Sequence, residues 1–202
     1  MNRIIITVLS IIIPSIILGT PTVNTYTNPT LGLTVTKPSH WTYVSLTDYY
    51  NQLSYAKLSE PDLATTYQSK SALPILIIAQ NREPIGAINP NIKFNIYPLE
   101  NKTNHLPEVL LSIILDSYKP ILSNVRIKQA PKALRISNYP AAHAKIQFEY
   151  PLRSGHTHTV MSQLWVIKRK HTFWLISAGT HVKDKQNQAT ISRIISEIQV
   201  TQ

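Results

Sequence analysis

The amino-acid sequence predicts an α+β fold: a mostly antiparallel sheet with helices packed on both faces, an α/β/α sandwich. Two observations carry the prediction. The runs "LWVI" (164–167) and "FWLISA" (173–178) are apolar without alternation, as strands covered on both sides are. Segments of helical character lie before, between and after the strand-like runs. At 202 residues, 43% apolar and 15% charged, the chain has the composition of a globular protein.

The first 25 residues stand apart. "MNRIIITVLSIIIPSIILG" places Arg3 before an apolar run from Ile4 to Leu18, and the first acidic residue is Asp48. That pattern reads as a signal peptide or an N-terminal anchor over residues 1–25. The run is shorter than the ~20 residues that cross a bilayer comfortably. Residues 26–202 are then one domain, exported to the periplasm or the exterior, and tethered if the leader is kept. Cysteine is absent, which excludes disulfides, thiolate catalysis, Cys-ligated zinc and iron–sulfur clusters.

"LGLTVTK" is a strand with Leu31, Leu33 and Val35 on one face, ended by Pro38. Trp41 follows Pro38 closely, and its ring is expected to fold back into the core. Residues 45–70 are helical in pattern, with Ser45 or Thr47 as a first cap. "LPILIIAQ" and "IKFNIYPL" are strands separated by a Gly- and Pro-containing loop. "NHLPEVLLSIILDSYKPIL" is a helix, capped by Asn104, with Pro107 in its first turn. Leu106, Leu110, Ile113, Ile114 and Ser117 are expected on its packed face. "VRIKQAPKALRIS" alternates on one side only and reads as an edge or half-exposed strand. Three strands follow, "YPAAHAKIQFEYPL", "TVMSQLWVIKR" and "TFWLISAGT". A final helix is capped by Asp184 and striped by Ile191, Ile194, Ile195 and Ile198.

The order of these pieces resembles the PsbP/Mog1/DcrB-like α/β sandwich family. The resemblance rests on Tyr26, Leu31-Gly32-Leu33, Pro38-Ser39-His40-Trp41, the Tyr139-Pro140-Ala141-Ala142 turn and the Phe173-Trp174-Leu175-Ile176 strand. It implies an accessory or binding module that is not an enzyme, because members are mainly non-catalytic. It carries no binding residue over to this chain.

Charge points to where such a module would bind. Residues 101–202 hold fourteen of the twenty Lys and Arg but five of the ten Asp and Glu. A basic half attracts anionic partners. The expected partner is an acidic protein in an envelope or membrane complex, with anionic lipid or glycan as further candidates. Nucleic acid is the partner least available to an exported protein. Candidate contact residues are Lys168, Arg169 and Lys170 at a hairpin tip, with Arg126 and Lys128 on the half-exposed strand. The alternative is metal binding by His156 and His158, which a strand would place on one face for a third ligand to join. An enzyme of unidentified reaction is the second alternative. No Gly-x-Ser-x-Gly, His-Glu-x-x-His or Gly-rich phosphate loop is present, and no cofactor is expected.

Overall fold

The computed structural model describes residues 24–48, 74–82, 88–99, 105–151 and 155–201. Strands β1 (Thr25–Asn28) and β2 (Leu33–Thr36) form a hairpin, joined on β2 by the C-terminal β10 (Gln199–Val200). The main sheet contains β3 (Thr42–Tyr43), β4 (Leu76–Ala79), β5 (Asn91–Pro98), β6 (Ser123–Ile136), β7 (Tyr139–Pro151), β8 (Thr157–Lys168) and β9 (Thr172–His181). Its order is β3-β4-β5-β9-β8-β7-β6, antiparallel throughout. Helix α1 (Pro107–Tyr118) covers one face, and α2 (Lys185–Ser196) with the small sheet covers the other. The predicted sandwich with helices on both faces is therefore present, with a second sheet added to one layer.

The doubly apolar runs explain the layering. On β8, Trp165 and Ile167 point into the layer of α2, while Leu164 and Val166 point toward α1. β9 divides in the same way, with Trp174 and Ile176 on one side and Leu175 on the other. Trp41 is 2% exposed and lies in the α2 layer, as expected from its position after Pro38. Asp184 caps α2 by accepting a hydrogen bond from the Asn187 N–H at 3.0 Å, and all four isoleucines of the stripe are buried. Ser45 Oγ accepts from the Asp48 N–H at 3.1 Å, so Ser45 caps the first helical turn. The rest of that expected helix, and Asn104, lie outside the described residues.

Two expectations shift. Helix α1 packs through Pro107, Leu110, Leu111 and Leu115, while Leu106 and Ile113 are 62% and 53% exposed. The helix is apolar around more than half of its circumference, so a one-sided stripe could not be drawn from spacing alone. The turn expected at Tyr139 sits two residues earlier. Ser137 and Asn138 have φ of 46° and 67°, the left-handed pair that a two-residue hairpin needs, and Tyr139 already belongs to β7.

Gly32 closes the small sheet. Its φ is +65°, and a Cβ there would stand 2.4 Å from the Thr201 carbonyl oxygen. The Thr201 N–H in turn donates to Gly32 O at 2.8 Å, which ties the C-terminus to the β1–β2 turn. Only glycine meets both demands.

Candidate interaction surface

The structure separates the expected cations into two groups. Arg126 registers with Gln147, and Gln147 with Met161 near the start of β8; Lys168 ends that strand. At ~3.3 Å per residue, the two groups stand roughly 20 Å apart along the sheet. They form no single site.

Arg169 at the hairpin tip is a structural clamp. Its guanidinium donates from Nη1 to Leu31 O at 2.7 Å and from Nη2 to Thr201 O at 2.9 Å. It also lies 5.3 Å from the Tyr139 ring centroid and 5.1 Å from that of Trp174. Arg169 thus binds the β8–β9 turn to the small sheet. Its acceptor Leu31 is 138 residues distant in the chain, which hides the contact from any local pattern. Lys168 is half-buried and engaged within the fold; Lys170 is exposed.

The β6 group gains members instead. Arg126 and Lys128 are exposed on the strand that ends the sheet. The register pairs Arg126 with Gln147, Gln129 with Lys145 and Lys132 with His143. Cross-strand partners share a face, so Arg126, Lys132 and Lys145 form a cationic surface beside α2. Among the described residues the ion pairs are Arg82–Asp48 and Lys119–Asp116, and neither involves these cations. Glu149, at the far end of β7, accepts a hydrogen bond from Asn124 Nδ2 at 2.7 Å. Lys132 and Lys145 were missed in the sequence, although "AHAKIQ" carried the alternation that sets His143 and Lys145 on one face.

His143 floors this surface. Its ring stacks on Trp165 with centroids 4.6 Å apart and planes at 8°. Gln129 Nε2 lies 3.3 Å from Nδ1 and can only donate there, so the proton of the neutral ring sits on Nε2. Burial, then the neighbouring Lys145 charge, lowers the His143 pKa from 6.5 to about 4, with Gln163 pulling weakly the other way. The ring is neutral at physiological pH. Gln163, 2% exposed, donates from Nε2 to Gln188 O of α2 at 3.3 Å. Among the described residues, His143 Nε2 and Gln163 Oε1 have no hydrogen-bond partner.

Of the paired histidines, His158 lies on β8. β8 begins at Thr157, leaving His156 exposed and outside the strand. His158 instead meets His181 edge-on, with ring centroids 6.2 Å apart. Among the described residues no third His, Asp or Glu joins them as a metal ligand. A hollow of about 190 Å³ lies between the end of β2 and α2, lined by Thr36, Lys37, Pro38, Arg193, Ile194 and Glu197. That is below the roughly 300–1,000 Å³ usual for small-molecule sites. Among the described residues no helix is long and apolar enough to cross a membrane.

The comparisons agree on architecture. No family model and no curated protein matches the chain. Among solved structures, LpqN, involved in cell envelope biogenesis of Mycobacterium tuberculosis, is similar at 14% identity and a TM-score of 0.54. The match covers 84% of this chain and 83% of that one. Cyanobacterial PsbP (CyanoP) from Synechocystis sp. PCC 6803 is similar at 9% identity and the same TM-score of 0.54, covering 91% of this chain and 96% of the other. The chain has the PsbP/Mog1-like fold.

Proposed function

We propose that the protein is an exported, non-catalytic binding module, an accessory subunit of an envelope or membrane-associated complex, which holds an acidic partner through its basic face. The observation that carries this is the surface of Arg126, Lys132 and Lys145, without a carboxylate ion pair among the described residues. Three cations so arranged repel one another and gain from a partner that brings opposite charge. Its setting, the envelope, is suggested by the leader-like residues 1–25. The similarity of fold to LpqN, a protein involved in cell envelope biogenesis, and to cyanobacterial PsbP supports an accessory role by analogy.

The test is cross-linking of the full chain in its native membrane fraction, followed by identification of what is attached. An acidic partner should be captured at low salt, fade as salt rises, and be lost from an Arg126→Glu/Lys132→Glu variant. Equal capture by that variant would refute the assignment.

A further inference from the structure

We propose that the open edge of β6 is a docking edge for an extended acidic segment of a partner protein, which adds to the main sheet as a further strand. The proposal rests on the adaptor reading above and deepens it by naming the partner's chemistry and geometry.

β6 is the last strand of the sheet, 14 residues long, and pairs on one side with β7 alone among the described residues. Among the described residues no strand pairs with the N–H and C=O groups of its other side, which an added strand can satisfy as a ladder. The strand has two parts. From Ser123 to Lys132 the register with β7 shifts three times, and Pro131 removes one N–H. From Lys132 to Ile136 the register is unbroken, pairing in turn with His143, Ala142, Ala141, Pro140 and Tyr139. The regular part can receive a strand; the bulged part presents charge.

The charges select the occupant. Arg126, Lys128, Lys132 and Arg135 project from β6, and Arg135 also donates to Asn138 O. A second copy of this chain would bring the same cations to the shared edge, and like charges directly opposite destabilise a strand pair. A strand carrying carboxylates at alternate positions reverses that sign. Such a strand would pair along Lys132–Ile136 and lay its acidic continuation over Arg126 and Lys128. Lys145 adds a second row of charge on β7. Shielding a bare edge does not require a cation one strand inward, so Lys145 favours recognition over protection. A membrane is a poorer fit, since the cations run along a strand and the edge offers donors and acceptors in a ladder.

The experiment titrates the full chain with a fluorescent 12-residue peptide carrying Glu at alternate positions. A proline-interrupted peptide of equal charge and phosphatidylglycerol vesicles are the other two arms. The uninterrupted peptide should bind at least about tenfold more tightly than the interrupted one, a difference of ~1.4 kcal/mol. It should also slow amide exchange at Ala133 through Ile136, and lose at least about tenfold with Arg126→Glu/Lys132→Glu. If that variant melts early, Lys132→Gln with Lys145→Gln replaces it. Equal binding of the two peptides would overturn edge pairing and leave the charge-based adaptor role standing. Binding to vesicles but to neither peptide would overturn the protein partner, and binding to none of the three would overturn both proposals.

Discussion

At the scale of single residues, His143 shows how position sets chemistry. Its ring is held neutral by burial against Trp165 and by the Lys145 charge, with Lys132 opposite it on β6 and Gln129 at Nδ1. Unfolding restores a pKa near 6.5, against about 4 in the fold. Above pH 6.5 neither state carries the proton and His143 leaves stability unchanged. As pH falls from 6.5 toward 4 the unfolded chain takes up a proton that the folded chain refuses, so stability is lost. Solvent screening at the part-buried ring keeps the loss below the ~3 kcal/mol that the shift alone would give. His143→Gln should flatten this part of the stability profile in urea titrations at successive pH values; an unchanged slope would contradict the buried neutral ring. Gly32→Ala should cost roughly 1–3 kcal/mol through its left-handed φ alone, and more through the clash with Thr201. Trp41→Ala should cost roughly 3–5 kcal/mol, as aromatic truncations in cores do, and a wild-type melting temperature would show that the ring is dispensable.

At the scale of elements, what was legible in the sequence follows what is local. Asp184 and the isoleucine stripe define α2 within its own residues, and the doubly apolar runs of β8 and β9 announce their central place. β6 was readable as an edge because its alternation has one apolar side. The small sheet was half hidden: β1 and β10 are short, and β10 exists through its pairing with Leu33 and Thr34, far back in the chain. Helix α1 was visible, but its orientation was not, because apolar residues fill both its packed and its outer arcs. Leu111 is fully buried and Ile113 is not. Leu111→Ala should therefore cost about 2–5 kcal/mol, whereas Ile113→Ala should stay within about 0.5 kcal/mol. Chemical denaturation of the pair checks the helix's rotation directly, and equal losses would mean that the outer arc is covered.

At the scale of the whole molecule, the sheet has two cationic ends in different structural settings. Lys168, Arg169 and Lys170 are consecutive in the sequence, and Arg126 and Lys128 lie two positions apart on β6. Consecutive charge is a property of sequence, while a binding surface is a property of register. Arg169 spends its guanidinium on Leu31 and Thr201, and the β6–β7 register assembles Arg126, Lys132 and Lys145 from positions that no short motif unites. The two ends therefore predict opposite phenotypes. Arg169→Ala should lower stability by roughly 2 kcal/mol, the scale of charge-assisted hydrogen bonds, and Arg169→Lys should rescue little because an ammonium lacks the fork that reaches both carbonyls.

The most direct measurement sets these two ends against each other in one experiment. Arg126→Glu/Lys132→Glu and Arg169→Ala proteins are compared for melting temperature and for low-salt binding of the alternating glutamate peptide, well below either melting point. The β6 variant should keep the wild-type melting temperature and lose binding, and the Arg169 variant should melt lower and keep it. The reverse pattern, with binding lost at Arg169 and kept at β6, would contradict the assignment of the β6–β7 face as the working surface.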